Sequence, residues 1–201
     1  MISATDIKKH IAKAAAAMIK DGDTLMINDG TTTSMIPKYL PGKRDIRIVS
    51  NSTLILPYAR VNPSLHLTLA GGEFRISTKA IVGPAAFADL EKFHVKHAFI
   101  GTGGFSADAG LTAQLSEGAE IARKMIELSD HVTVVADSDK YDMNGFVKIT
   151  GLEKADAIIS DKNLSRKAQE EIRELGIELI LLKFFVYFQS EVLRLLTTSV
   201  S

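Results

Sequence analysis

Residues 24–34 read Thr24-Leu25-Met26-Ile27-Asn28-Asp29-Gly30-Thr31-Thr32-Thr33-Ser34. A mostly apolar run ends abruptly at Asp29-Gly30, and four consecutive hydroxyl side chains follow it. This order predicts a strand, a tight turn and the beginning of a helix, because glycine adopts the backbone angles of sharp turns and Ser and Thr favour helix starts. The fold class follows from this strand-turn-helix unit.

A helix that begins after Gly30 offers backbone N–H groups that have no partner inside the helix. The helix dipole adds partial positive charge at the same place, so this terminus attracts anions such as phosphate. The hydroxyls of Thr31, Thr32 and Thr33 can donate further hydrogen bonds. The simpler interpretation is that Thr31 or Thr32 only caps the helix. These residues alone leave both interpretations open.

Helix and strand patterns alternate along the rest of the chain. Apolar residues at helical spacing predict a first helix over residues 5–20 with Thr5 as its cap. Pro37 predicts that the helix in residues 31–40 is short or kinked. Further strands are predicted at 44–50, 65–70, 78–82, 96–101, 131–136, 146–150, 157–160 and 177–182, and further helices at 53–60, 85–93, 116–128 and 165–175. This alternation indicates an α/β fold with an open, mostly parallel sheet flanked by helices.

Polar or glycine-rich clusters follow four of the predicted strands, at Asp29–Thr33, Ser50–Ser52, Gly101–Gly104 and Asp137–Lys140. The carboxyl ends of parallel strands lie at one edge of an open sheet, where such folds bind their ligands. We therefore expect the four clusters to converge on a site for a small anionic ligand, with Lys140 facing the anion. Taken singly, Asn51 or Ser52 is better explained as a helix cap than as a ligand contact.

The composition excludes several classes of function. In 201 residues, Lys and Arg balance Asp and Glu, so the formal net charge is zero and no broad basic surface for nucleic acid is expected. The absence of cysteine excludes disulfides, thiolate metal sites and a cysteine nucleophile. The sequence has no signal-peptide pattern and no early apolar run of ~20 residues. We expect a cytoplasmic protein without membrane contact.

The sequence offers little catalytic machinery. Its acidic residues show no spacing that singles out a catalytic pair, and its five histidines form no metal-ligand pattern. Gly101-Thr102-Gly103-Gly104 lacks the dinucleotide fingerprint, and Gly30 is not followed by the Gly-Lys-Ser/Thr of a nucleotide-binding P-loop. We therefore predict no enzymatic activity, no catalytic residue, no cofactor and no metal.

An ordered set of short motifs runs through residues 7–181. The set consists of Asp21-Gly22-Asp23, Asp29-Gly30-Thr31-Thr32, Ser50-Asn51-Ser52, Gly71-Gly72, Gly83-Pro84, Phe99-Ile100-Gly101, Gly110-Leu111-Thr112 and Ala136-Asp137-Ser138-Asp139-Lys140. Each motif is weak alone. In this order they resemble the C-terminal sensor domain of the DeoR family of bacterial sugar-metabolism repressors.

The resemblance implies a fold related to ribose-5-phosphate isomerase and the CoA transferases. It also implies an effector-binding regulatory domain of a homo-oligomeric transcriptional repressor, with a phosphorylated sugar or related metabolite as effector. The effector is expected to bridge the amides of residues 31–33 and Lys140. By position, the phosphate loop corresponds to Asp29, Gly30, Thr31 and Thr32, the sugar or phosphate contacts to Asn51 and Ser52, the wall at the strand end to Gly101 and the closing cation to Lys140.

The sequence departs from the family pattern in three places. The family's N-terminal winged helix-turn-helix is not found, so DNA contact is expected only through such a domain, absent from this chain. Asp139 replaces a small polar residue and adds negative charge beside Lys140. Residues 1–182 are expected to form the sensor domain, and residues 183–201 an atypical apolar C-terminal tail.

Two other functions stay open from the sequence. A pentose-phosphate isomerase would share the phosphate loop, but the segment after Ile100 reads Gly-Thr-Gly-Gly-Phe-Ser. It lacks the Asp-Gly-Ala-Asp-Glu type of run that resembles the isomerases, and the chain contains no Lys-Gly-Gly. The other possibility is an oligomerisation module whose pocket is vestigial.

Overall fold

The computed structural model of the protein describes residues 3–182. The strands in this range are β1 (Thr24–Ile27), β2 (Ile46–Ser50), β3 (Leu65–Leu69), β4 (Glu73–Arg75), β5 (Ala80–Val82), β6 (Val95–Ile100), β7 (Gly104–Ser106), β8 (Gly110–Ala113), β9 (Ser129–Val135), β10 (Val147–Thr150), β11 (Ala157–Asp161) and β12 (Glu178–Leu182). The α-helices are α1 (Ala4–Met18), α2 (Thr31–Ser34), α3 (Leu56–Ala59), α4 (Pro84–Leu90), α5 (Ser116–Glu127) and α6 (Arg166–Glu174). Short 3₁₀ turns occupy Ile36–Tyr39, Thr53–Ile55, Ser138–Lys140 and Leu152–Lys154.

Within residues 3–182, seven strands form one parallel sheet in the order β12-β11-β9-β6-β1-β2-β3. From the central neighbours β1 and β6, the chain adds strands outward in opposite directions, so the switch point of the topology lies between these two strands. Ligand sites of open α/β sheets lie at such a point. The predicted α/β fold with an open, mostly parallel sheet is confirmed.

Two hydrophobic cores cover the two faces of the sheet. Leu25 and Ile27 of β1 belong to the core under α1, whereas Met26 between them belongs to the core under α4, α5 and α6. All three side chains are fully buried. Alternate residues of a strand point to opposite faces, so a strand covered on both sides is apolar throughout. This double burial explains why the run before Asp29 is continuous rather than alternating.

Two small antiparallel sheets stand beside the main one. β4 and β5 form a hairpin over residues 73–82, and β7, β8 and β10 form a three-stranded sheet. The predicted loop after Gly101 therefore contains the β7–β8 hairpin, and the strand predicted over 146–150 joins the small sheet. The strand predicted over 78–82 corresponds to β5. The short strands β4, β7 and β8 were not predicted, because they lack the periodic apolar pattern on which strand prediction depends.

Some predicted helix boundaries also need correction. Ser3 caps α1 instead of Thr5, since its side chain accepts a hydrogen bond from the Asp6 N–H at 3.1 Å. Residues 53–60 form a 3₁₀ turn followed by the short helix α3 rather than one regular helix. The effect expected of Pro37 is confirmed, because α2 ends at Ser34 and a 3₁₀ turn follows it.

None of the helices within residues 3–182 combines the length and the apolar character needed to cross a membrane. The apolar tail predicted for residues 183–201 lies outside the described residues. Its separation from the sensor domain stays a prediction.

Candidate functional site

The loop after β1 is shaped by Gly30 and by the hydroxyl of Thr33. Gly30 has a φ of +156°, and a Cβ at this position would come within 2.9 Å of Thr33 Oγ1. The Thr33 Oγ1 donates toward the carbonyl oxygens of Asn28 and Gly30, at 2.9 and 3.0 Å. Because Thr33 is fully buried and its hydroxyl bonds the loop itself, it fixes the shape of the turn.

The main-chain amides at the beginning of α2 are open to a ligand. Among residues 3–182, no group accepts a hydrogen bond from the N–H of Thr31, Thr32 or Thr33, whereas the Ser34 N–H donates to the Gly30 carbonyl at 3.1 Å. The first N–H groups of a helix attract anions. The protein's own side chains therefore do not occupy the amides that were predicted to bind an anion.

Asn28 joins the carboxyl ends of the two central strands. Its Nδ2 donates to the Gly101 carbonyl at 3.0 Å, and the Gly101 N–H donates to its Oδ1 at 2.8 Å. The side chain is buried, so it fixes the floor of the switch point between β1 and β6. Asn28 was not among the predicted site residues. Its only local signal is a polar residue at the end of an apolar strand, and its partner lies 73 positions away.

Asn51 connects the same loop to the β4–β5 hairpin. The Asp29 N–H donates to Asn51 Oδ1 at 3.0 Å, while Asn51 Nδ2 donates to Asp29 Oδ1 at 3.1 Å and to the Ile81 carbonyl at 3.3 Å. Burial raises the pKa of the Asp29 carboxyl above its usual range, and the hydrogen bond from Asn51 opposes this rise. Asp29 is therefore held in place at the cost of partial desolvation.

Ser52, the residue after Asn51, contacts Ser34 at the end of α2. Its Oγ is 3.1 Å from the Ser34 Oγ, and both side chains are buried. The contact joins α2 to the segment that follows β2.

A cavity of about 300 Å³ lies at the carboxyl ends of β1, β6 and β9. This volume corresponds to roughly ten water molecules. The wall combines the loop after β1, residues 101–103, residues 113–115 and residues 135–137. Three of the four polar clusters predicted from the sequence therefore meet at one place.

Within the described part of the chain, two lysines supply positive charge to this cavity. Lys140 lines it from the 3₁₀ turn after β9, and Lys8 lines it from α1. Lys8 Nζ lies 3.9 Å from Asp137 Oδ2. Lys8 was missed because it belongs to a helix whose apolar spacing predicts only packing. Its approach to the site depends on how α1 lies across the sheet.

Asp137 is the second carboxylate of the cavity. It is 9% exposed, and its Oδ1 has no hydrogen-bond partner among residues 3–182. Burial raises the pKa of this carboxyl, while the charges of Lys8 and Lys140 act in the opposite direction. An unpaired buried acceptor is costly, so Asp137 can gain a hydrogen bond from a ligand donor.

The structure brings most of the predicted site residues together. Those that line the cavity are Asp29, Gly30, Thr31, Thr32, Thr33, Gly101 and Lys140. Asn51 and Ser52 do not line it; both are fully buried, and their side chains contact Asp29 and Ser34 instead. Their direct contact with a ligand stays a prediction.

Comparison with known proteins places this geometry in a family. Residues 3–162 match the family model described as the DeoR C terminal sensor domain. The chain belongs to this family. Its relatives include a "Putative aga operon transcriptional repressor" of Escherichia coli O157:H7, 27% identical over 88% of this chain and 66% of the relative. An "Uncharacterized HTH-type transcriptional regulator" of Haemophilus influenzae is 32% identical over 89% of this chain and 69% of the relative.

This chain is also similar to a "Glycerol-3-phosphate regulon repressor" of Escherichia coli K12, with 30% identity over 78% of this chain and 62% of the relative. The chain thus spans about two thirds or less of the length of several curated relatives. These relatives are transcriptional regulators. The resemblance inferred from the ordered motifs is therefore confirmed at the level of the family.

Solved structures show the same fold. A D-ribose-5-phosphate isomerase in complex with phospho-erythronic acid has a TM-score of 0.51 and 16% identity, covering 70% of this chain and 55% of the isomerase. The "Probable sor Operon Regulator" from Shigella flexneri has a TM-score of 0.56 and 10% identity, covering 85% of this chain and 89% of the regulator. At these identities the likeness concerns the fold alone. The expected fold related to ribose-5-phosphate isomerase is confirmed.

Proposed function

We propose that this DeoR sensor domain binds a phosphorylated sugar or related metabolite in the cavity beside β1, and that binding changes the DNA affinity of the repressor to which the domain belongs. One observation carries the proposal. The open amides of residues 31–33 and two lysines, Lys8 and Lys140, face the same cavity. The name of a relative, the glycerol-3-phosphate regulon repressor of Escherichia coli K12, supports a phosphate ester as the ligand class.

In this proposal the phosphate lies against the beginning of α2. The N–H groups of residues 31–33 donate to its oxygens, and the Thr31 hydroxyl adds a neutral donor. Lys140 and Lys8 donate hydrogen bonds to the phosphate oxygens, and these bonds are stronger than those from neutral donors because the ammonium groups are charged. Gly30 leaves the main chain free to approach the ligand.

The carbon chain of the ligand extends toward Asp137. The unpaired Oδ1 of Asp137 accepts a hydrogen bond from a ligand hydroxyl, which removes the cost of its burial. Asn51 and Ser52 act as positioning residues, since their hydrogen bonds hold Asp29 and α2 in place. A phosphate group and a neighbouring hydroxyl therefore define the minimum ligand.

Regulation requires two states of the repressor. The effector shifts their equilibrium only by the difference between its affinities for them. We propose that a helix-turn-helix domain outside this chain contacts the DNA, that the repressor is a homo-oligomer, and that it acts in the cytoplasm, where phosphorylated sugars occur.

Calorimetric titration of the full chain tests the proposal. The probes are glycerol 3-phosphate, ribose 5-phosphate, fructose 1-phosphate and inorganic phosphate, with glycerol, ribose and fructose as matched controls. We expect at least one phosphorylated sugar or polyol to bind with a Kd below about 1 mM and its unphosphorylated counterpart to show no measurable heat. Absence of binding by every phosphorylated probe at millimolar concentration would contradict the proposal.

One observation supports the alternative function, that of a pentose-phosphate isomerase. Asp29 and Asp137 line the cavity, and burial raises the pKa of both carboxyls. Such perturbed groups occur in sites that transfer protons. A coupled assay with ribose 5-phosphate separates the two functions, because turnover lost in an Asp137→Asn variant would favour the enzyme.

A further inference from the structure

The β4–β5 hairpin contributes one residue to the wall of the cavity. Thr78, at the turn of the hairpin, lines the same space as Asp29 and Lys140. Its Oγ1 is buried and has no hydrogen-bond partner among residues 3–182. A buried hydroxyl without a partner loses its hydrogen bonds to water without replacement. The described residues therefore supply no hydrogen-bond partner for this hydroxyl.

The hairpin is attached to the domain on both sides of Thr78. Before the turn, the Arg75 guanidinium forms an ion pair with Glu117 of α5. After it, the Lys79 carbonyl accepts hydrogen bonds from the N–H and the hydroxyl of Thr53, each at 2.9 Å. The position of Thr78 is therefore fixed by contacts on both flanks.

The backbone at this turn adopts an unfavourable conformation. Lys79 has a φ of +57°, in the left-handed region that residues with a Cβ rarely occupy. Two residues beyond it, the Ile81 N–H donates to the Asn51 carbonyl at 2.7 Å. Residues held in such a conformation by several surrounding contacts occur frequently at ligand sites. The turn is thus held in the shape that places Thr78 at the cavity.

We propose that Thr78 contacts the effector and selects for ligands that carry a hydroxyl group in addition to the phosphate. This inference rests on the proposed function. The phosphate already has main-chain amides and two lysines, whereas a threonine hydroxyl both donates and accepts and so matches a ligand hydroxyl. A site built to hydrogen-bond a hydroxyl rejects analogues that lack one, because its own polar atom then stays unpaired.

The test compares Thr78→Val, which removes the hydroxyl and keeps the shape, with Thr78→Ser, which keeps the hydroxyl. Thr68→Val is the matched control, because Thr68 is exposed on the edge strand β3 and away from the cavity. Each variant is titrated with inorganic phosphate and with glycerol 3-phosphate, ribose 5-phosphate and fructose 1-phosphate. Thermal unfolding of each variant checks that it is folded.

We expect Thr78→Val to weaken the affinity for the tightest-binding phosphorylated probe by ~10-fold, which is the effect of one hydrogen bond. The affinity for inorganic phosphate should be unchanged. Thr78→Ser and Thr68→Val should bind like the wild-type chain. The inference is overturned if Thr78→Val binds that probe as the wild-type chain does, or if its affinity for inorganic phosphate falls by the same factor as its affinity for the probe. If the wild-type chain binds no phosphorylated probe, the proposed function fails first and this inference with it.

Discussion

The side chain of Asn28 forms two hydrogen bonds with the main chain of Gly101, 3.0 and 2.8 Å long, and so joins the carboxyl ends of β1 and β6. These two strands are the central pair of the sheet, and the cavity opens directly above them. The relationship makes the floor of the site part of the core structure. Changes to it should affect stability and binding together.

Replacing Asn28 by Ala should lower the free energy of unfolding by about 2–4 kcal/mol, because the N–H and C=O of Gly101 lose their buried partner. Urea denaturation measures this change. Asn144→Ala is the control, since Asn144 is exposed and makes no side-chain hydrogen bond within the described residues. Equal midpoints for the two variants would show that the Asn28 contacts contribute nothing to folding.

Replacing Lys140 by Gln should weaken binding of a phosphorylated sugar by ~10-fold or more, because a charged donor to the phosphate is lost. Lys8→Gln should act in the same direction, since Lys8 lines the same cavity. Titration in low and high salt checks the electrostatic origin, as the wild-type affinity should fall with salt more steeply than that of the variants. Lys162→Gln, at an exposed position outside the cavity, should bind normally.

Replacing Asp29 by Asn should stabilise the fold at pH 7. The pKa of Asp29 is raised by burial, so its ionised form costs stability in the folded state at pH values above the folded pKa. Below the ordinary value of 3.8 the carboxyl is protonated in both states, and the difference between variant and wild type should vanish. The introduced amide retains an oxygen that accepts a hydrogen bond from Asn51.

Urea denaturation of Asp29→Asn at several pH values from 3.5 to 7 measures this effect, with exposed Asp108→Asn as control. A variant that is less stable than wild type at pH 7 would show that the charge of Asp29 supports the loop. Its effector binding should be measured in parallel, because stabilising a binding site frequently costs function.

His97 should make the fold sensitive to acid. It stacks on Phe99, its Nε2 lies 2.8 Å from Thr133 Oγ1, and burial is the main cause that lowers its pKa from 6.5 to about 4. The unfolded chain therefore takes up a proton below pH 6.5 that the folded chain refuses until about pH 4. The free energy of unfolding should therefore fall by about 3 kcal/mol as the pH is lowered from 6.5 to about 4.

Replacing His97 by Phe tests this, because the variant cannot titrate and should lose less stability between pH 6.5 and 4 than wild type. His66→Phe is the control, since His66 is exposed on β3. The two are compared by their slopes of unfolding free energy against pH rather than by absolute stability, as the larger ring changes packing. Parallel slopes for wild type and His97→Phe would contradict the assignment.

Much of the site could be predicted because its residues follow strands directly. The loops at Asp29–Thr33, Gly101–Gly104 and Asp137–Lys140 each end an apolar run, and in a parallel sheet such ends share one edge. Asn51 also follows a strand directly, but its side chain is fully buried beneath the loop and does not line the cavity as expected. Position along a strand fixes the edge, whereas depth below the surface depends on what packs above it.

The local order of apolar runs, glycines and hydroxyl residues determined the α/β class, the parallel sheet and the turn at Gly30, because periodicity and backbone preference act over a few neighbouring residues. Tertiary structure alone decided that Asn28 bonds Gly101, that Lys8 of α1 reaches Asp137, and that Thr78 enters the cavity wall. These contacts join residues far apart in the chain. They exist only once strand order and helix placement have brought their partners together.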